Sequence, residues 1–480
     1  MKPNIVFLLL DSFRSDKCYG ESKTSKTPNL DMLIKNSTYL PNTFASADGT
    51  ILSLNSLFTG LFPFKTGTRA KKLQLHGTNF IDILKKNGYH IYGKTPYLTS
   101  FSSLYDYFEN EDAHKPPNLN GSVLVEYEGT NQEIDNEQKQ KDKKILGEKS
   151  FAGGEILSGG LDQEIIDMLV SNNMKEPWFL YIHMLDLHWP HVVPSEFNSE
   201  NFGHSLYERI VSAIDSWLGK FIEKIDMSTT LLVLTGDHGH VIPVDNKDIT
   251  TFEPDLELGL KAGKHIMPKS THTTGAKFFV GLRSIIRDAK LVKANRNLTP
   301  YEKRSRLPPF TLSLFDESIR VPLVFSGYGT SSKIIYQQVR NVDIFPTIFE
   351  LIDLSSGEFP RHGRSLLPLL SGKKTEELPA YIQSIPYEKI SPDDIVGVRT
   401  SHLKYFRATR DSKKNVNLYD LTKDTRENFN IAKECPDLVN KMEHLLTEIT
   451  TDDLPEYNIE EMTKKEKKEI NDELRRLGYV

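Results

Sequence analysis

Two short apolar runs constrain the fold of this chain more than any other feature. Ile5–Leu10 is apolar at every position and ends at Asp11. Leu231–Leu234 repeats the pattern and runs through Thr235-Gly236 into Asp237-His238-Gly239-His240. Runs of this length, apolar throughout and not alternating, read as strands buried on both faces, the kind found in parallel sheets. Open α/β sheets bind ligands at the carboxyl ends of their strands, where each run delivers an aspartate. A carboxylate and an imidazole side by side next to glycines supply oxygen and nitrogen donors suited to a divalent metal. An aspartate after a strand also serves as a helix cap, and the residues alone permit both roles.

Strand-like and helix-like segments alternate through the first 390 residues. Residues 27–36 and 79–89 read as helices, the second followed by a short strand at His90–Lys94. In 206–225 the residues Ile210, Ala213, Ile214, Leu218 and Ile222 recur three or four apart, which predicts an amphipathic helix. Residues 178–185 form another buried run, followed by Asp186 and His188. This alternation implies a large, mostly parallel sheet with helices on both faces. Residues 121–150 are polar and charge-rich and read as a surface loop. No internal repeat is present. The net charge of −5 over 480 residues gives no sign of a nucleic-acid partner. Cys18 and Cys435 are the only cysteines, too few for a disulfide framework. The apolar run at 5–10 is short for a secretory signal, and no stretch reaches a transmembrane span. The expectation is a cytoplasmic protein.

The motifs, taken in order, resemble those of the sulfatase family of the alkaline phosphatase superfamily. PNIVFLLLDSFRSDKCYG is similar to that family's opening strand and first metal-binding aspartate. TPNLDMLIKNSTYLPNTFAS and SLFTGLFPFKTG are similar to the segments that follow, the latter to the helix after the nucleophile. NGYHIYGK resembles the active-site lysine segment, and YIHMLDLHWPH the segment of the substrate-contacting histidine. TGDHGH resembles the metal-binding turn and FDESIRVPLVF the strand after it. VGVRTSHLKYFRA, LYDLTKDTRENFNIA and the ending ELRRLGYV resemble the C-terminal part. The resemblance implies an α/β fold with a catalytic domain over 1–390 and a smaller α+β subdomain over 391–480. It implies Asp11, Asp237, His238 and Thr50 as metal ligands, Lys94 as a charge-stabilising cation and His188 as a proton donor to the leaving group.

The sequence departs from the family at the nucleophile. Sulfatases carry Cys or Ser in a Cys-x-Pro-Ser-Arg pattern that is converted to formylglycine; here the place reads Thr50-Ile51-Leu52-Ser53-Leu54. Formylglycine cannot form by that route. A hydroxyl beside a metal can still act as nucleophile, because the metal lowers its pKa. Thr50 is therefore the expected nucleophile, with Ser53 as fallback. Thr50 also suits the cap of a helix starting near Ile51, a position that offers backbone N–H groups to an anion. Pro96 stands where the family has a histidine two residues after the lysine. Ser12 stands where a second aspartate is usual, so the metal is left open among Ca²⁺, Mg²⁺, Mn²⁺ and Zn²⁺. Asp186, His240 and His272 are candidates for a second metal.

Residues 241–310 form an insertion. Between Lys261 and Arg306 it carries twelve Lys or Arg against two acids, Asp288 and Glu302. Phe279, Leu282, Ile286 and Ala289 make a helical stripe beside Arg283, Arg287 and Lys290. A basic lid over an anionic substrate, a contact with an anionic membrane surface through 261–306, and a plain surface hairpin all fit this composition. The expected activity is metal-dependent hydrolysis or transfer of a phosphate ester, phosphodiester or phosphonate monoester on a small molecule, glycan or lipid. A sulfatase without formylglycine and a non-catalytic binding protein are the alternatives.

Overall fold

A computed structural model describes residues 2–68, 72–75, 79–96, 98–115, 157–188, 191–242, 292–293, 295–306, 313–354, 361–384, 394–457 and 463–476. The strands are β1 Asn4–Leu10, β2 Thr38–Phe44, β3 His90–Pro96, β4 His114–Lys115, β5 Trp178–Met184, β6 Thr230–Gly236 and β7 Arg320–Gly327, then β8 Lys333–Ile334 and β9 Val339–Arg340. They form one sheet in the order β4-β3-β5-β1-β6-β7-β2-β8, with β9 also on β2. Only β7 runs against its neighbours, inserted between β6 and β2. The expected mixed, mostly parallel α/β sheet is therefore present.

Register places the strand ends together. Leu9 pairs with His183 on one side and Thr235 on the other. Asp11 and Asp237 each lie two residues further on, just past the edge. The strands bury both faces. Ile5, Phe7 and Leu9 pack with Phe179, Tyr181, Leu54, Phe58 and Phe345, which come from the strand beside them and from the Thr50–Thr59 and Ile344–Leu351 helices. Leu8, Leu10 and Leu234 meet Leu30, Val211, Ile214 and Leu218 on the other face, from the Pro28–Lys35 and Leu206–Ile222 helices. The 206–225 periodicity thus foretold which face of that helix is buried.

A second, antiparallel sheet follows: β10 Ala380–Gln383, β11 Ile395–Arg399, β12 Leu403–Ala408 and β13 Asn417–Asp420. Its first strand lies before residue 391, so the smaller subdomain draws on residues upstream of the expected boundary. The Pro436–Thr450 helix covers it through Met442 and Leu446. Both sheets belong to one compact unit, residues 1–118, 155–241 and 309–480. A second unit comprises 119–154 and 242–308. Its described part includes a short helix, Pro300–Arg304, closed by a Thr299–Glu302 capping box. The expected loop at 121–150 and the stripe from Phe279 to Ala289 lie outside the described residues, as does His272. Among the described residues no helix is long and apolar enough to cross a membrane.

Candidate active site

The carboxyl ends of β1, β5 and β6 build the site, opposite the N-terminus of the Thr50–Thr59 helix. Asp11 and Asp237 are buried. Ser12 holds φ at +61°, a left-handed conformation uncommon outside glycine. That turn aims the Ser12 N–H at Asp237 Oδ1, 2.9 Å away, and lets Ser12 Oγ donate to Asp11 Oδ1 at 2.8 Å. The His238 N–H donates to the same Asp237 oxygen at 2.8 Å. Ser12 therefore orients both carboxylates. Asp237 Oδ2 is buried and has no hydrogen-bond partner among the described residues.

Thr50 is the first residue of its helix, after Gly49. Its Oγ1 lies 3.2 Å from Asp11 Oδ2 and 3.2 Å from His238 Nε2. His238 Nδ1 is 2.6 Å from the Gly239 carbonyl, which can only accept. Nδ1 therefore carries a proton, and in the neutral ring Nε2 presents its lone pair to Thr50.

The charges of the group are unbalanced. Burial pushes the Asp237 carboxyl up, and the neighbouring charge of Asp11 pushes the same way. Burial opposes ionisation of Asp11 too, but the His183 hydrogen bond and the charges of His188, His238 and His183 hold it well below the usual carboxylate range. Burial would depress His238, yet the carboxylates of Asp237 and Asp11 hold its pKa above the ordinary value. Ligand atoms of Asp11, Asp237 and His183 lie within 4.8 Å of one another. Two buried carboxylates, an unpartnered carboxylate oxygen and imidazole nitrogens are a donor set that fits a divalent cation.

The other expected residues divide. The charge of His188, half-buried in the turn that follows β5, acts on Asp11, so it borders the group. His240 is buried against His191 with ring centroids 5.3 Å apart; burial, then His191 and His188, hold its pKa well below normal. Ser53 donates to the Ala47 carbonyl, at 3.2 Å, and has no described contact with the carboxylates. Asp186 accepts from the Ser158 N–H at 2.6 Å and from its hydroxyl, so it caps a turn and is not placed as a second-metal ligand. Lys94 also stands apart. It pairs in register with Ile182, one residue off the His183 row, so its side chain leaves the opposite sheet face. There its ammonium meets Asp112 Oδ2 at 2.6 Å and Glu164 Oε2 at 3.5 Å. His183 was missed by sequence reasoning. Its signal was a single histidine inside the apolar run 178–184, at even spacing from Tyr181 and Phe179, which share its face.

Fold and site together define an α/β ester hydrolase with a threonine hydroxyl at a helix N-terminus over a carboxylate–imidazole group that fits a divalent cation. A sulfatase family model matches residues 3–354, and a model for the N-sulphoglucosamine sulphohydrolase C-terminal region matches residues 311–452. The chain belongs to the sulfatase family. Arylsulfatase K of Mus musculus is 24% identical over 469 residues, covering 93% of this chain and 79% of the relative. A solved 2-O GAG sulfatase shares the fold with a TM-score of 0.59 at 18% identity, over 94% of this chain and 93% of that one. The phosphonate monoester hydrolase of Agrobacterium radiobacter does so with a TM-score of 0.60 at 15% identity, over 93% and 95%. The cytoplasmic expectation is corrected by this kinship, because arylsulfatases are enzymes of the secretory-pathway and lysosomal type. A short apolar run and a low cysteine count say nothing about compartment.

Proposed function

We propose that this chain hydrolyses a monoanionic ester, a sulfate ester of a glycan, through unmodified Thr50. The observation that carries this is the position of Thr50 Oγ1, 3.2 Å from both Asp11 Oδ2 and His238 Nε2 at a helix N-terminus. Thr50 donates its hydroxyl proton to Asp11 Oδ2 as Oγ1 attacks sulfur and the bond from sulfur to the leaving oxygen breaks. Water, giving a proton to His188, then attacks the sulfur of the Thr50 sulfate ester, and Asp11 returns its proton to Oγ1 as hydrogen sulfate leaves. The free N–H groups of the first helical turn face the nonbridging oxygens. His188, at the border of the group, supplies the leaving oxygen's proton. Asp11, Asp237 and His238 would hold a divalent metal, which would lower the hydroxyl's pKa and offset charge on the transferred group.

Charge favours a monoanion. Lys94 is neutralised by Asp112 and Glu164 on the other face, Leu54 stands in place of the family's arginine, and Arg14 is committed to Asp16 at 2.7 Å. With so few cations left for the ester among the described residues, a single negative charge matches the site better than a phosphate monoester dianion. The kinship with arylsulfatases supports sulfate, and the 2-O GAG sulfatase supports a glycan carrier. Phosphonate monoester hydrolysis is the second possibility. It carries the same charge, and Thr50 in place of a formylglycine precursor together with the phosphonate hydrolase likeness favours it. The test is kcat/KM on sulfate, phosphonate and phosphate esters of one phenol. Sulfate is expected fastest; a faster phosphonate ester selects the second possibility, and a faster phosphate monoester refutes the charge argument.

A further inference from the structure

His183 and Tyr181 form a short chain of hydrogen bonds that ends on Asp11. His183 is fully buried and stacks on Phe101, with centroids 5.3 Å apart and planes 22° from parallel. Its Nε2 lies 3.4 Å from Asp11 Oδ2, and its Nδ1 lies 3.1 Å from the Tyr181 hydroxyl. The Tyr181 ring is fixed in turn by Phe7, at 6.1 Å, and by the edge of Phe58, at 5.5 Å. Tyr181 and His183 are two apart on β5, so both side chains leave the same face.

The direction of this chain follows from counting donors. The Tyr181 hydroxyl is buried, and among the described residues its one hydrogen-bond partner is His183 Nδ1. A buried O–H left without an acceptor is costly, so Tyr181 donates and Nδ1 accepts. The neutral ring then carries its proton on Nε2, aimed at Asp11 Oδ2. Asp11 Oδ2 also faces the Thr50 hydroxyl, and Asp11 Oδ1 accepts from Ser12.

We propose that His183, held in one tautomer by Tyr181, is a positioning residue that fixes the Asp11 carboxylate for metal binding and for Thr50. This rests on Asp11 being a metal ligand, as proposed above. The opposite assignment would turn the Nε2 lone pair toward the cation and make His183 a ligand itself. It would strand the Tyr181 hydrogen in the core.

Equilibrium Co²⁺ titration with visible absorption separates these cases. Hydrogen bonds behind a ligand are typically worth roughly 10–100-fold in metal affinity. His183→Phe keeps the stack on Phe101 but removes both nitrogens, and a loss of about that size is expected. His183→Gln returns an N–H donor near the position of Nε2 and should recover most of the loss, with the wild-type cobalt spectrum. Tyr181→Phe should weaken binding by a smaller factor. It deletes one oxygen from an otherwise intact ring, so it carries the test if His183→Phe does not fold. Wild-type affinity in both Phe variants, with binding lost in Asp11→Asn, overturns this inference alone. A His183→Gln protein as weak as His183→Phe, with altered cobalt bands, overturns it by making His183 a ligand. A wild type that binds no divalent ion removes the proposed metal centre and this inference with it.

Discussion

A β-carbon at position 239 would sit 2.2 Å from the Glu317 carbonyl oxygen, and the Gly239 N–H donates to the Ser318 carbonyl at 2.8 Å. Glycine is therefore demanded by close backbone approach, one residue after His238. Gly239→Ala must push the turn off the Phe315–Ile319 segment, displacing the His238 ring. We expect a loss of about 1–3 kcal/mol in thermal denaturation, together with weaker metal retention. Lys94 gives the opposite expectation. Its side chain is 1% exposed and its ammonium is paired on the face away from Thr50. Lys94→Met should lower the melting temperature while changing kcat less than about tenfold, well under the 10²–10³ that losing one oxyanion donor costs. A loss on that larger scale would show that Lys94 reaches the ester.

At the scale of elements, the strand ends and the connections beyond them set the site. Asp186 follows β5 and holds the turn at Ser158. Burial pushes its carboxyl from 3.8 up to about 6, although the Ser158 hydrogen bonds pull it down. The folded protein then binds a proton there more tightly than the unfolded chain does. Stability from this group is complete below about pH 3.8 and is lost as pH rises toward 6. Asp186→Asn should flatten the pH dependence of the denaturation midpoint in that window; an unchanged slope would contradict the assignment. Much at this scale was legible in the sequence. β1 and β6 announced themselves by unbroken apolar runs ending in aspartate, and the 206–225 helix by its spacing. The antiparallel β7 was not, because its partners β2 and β6 are distant in sequence and periodicity carries no pairing information. Lys94 and His183 show the same limit: which face a side chain leaves depends on register with Ile182 and Leu9, one residue apart. His183 was hidden further because a buried histidine inside an apolar strand looks like core.

For the whole molecule, the metal is expected to couple activity to stability. Two buried carboxylates, with Asp237 held up by burial and by Asp11, repel in the apo protein. Chelation should lower the melting temperature, and a cation at a hundredfold its dissociation constant should restore about 2.7 kcal/mol. Metal-independent melting would contradict the site. Membership in the sulfatase family accounts for the order of motifs along 3–354.

The central claim is that Thr50 is the attacking group, and the most direct measurement compares wild type with Thr50→Ala. Both are loaded with the same divalent ion and given the same sulfate ester. The hydroxyl contributes the new bond and little binding surface, so kcat should fall by roughly 10³-fold or more while KM stays near the wild-type value. Wild-type turnover in Thr50→Ala would contradict the account, and the nucleophile would have to be sought elsewhere.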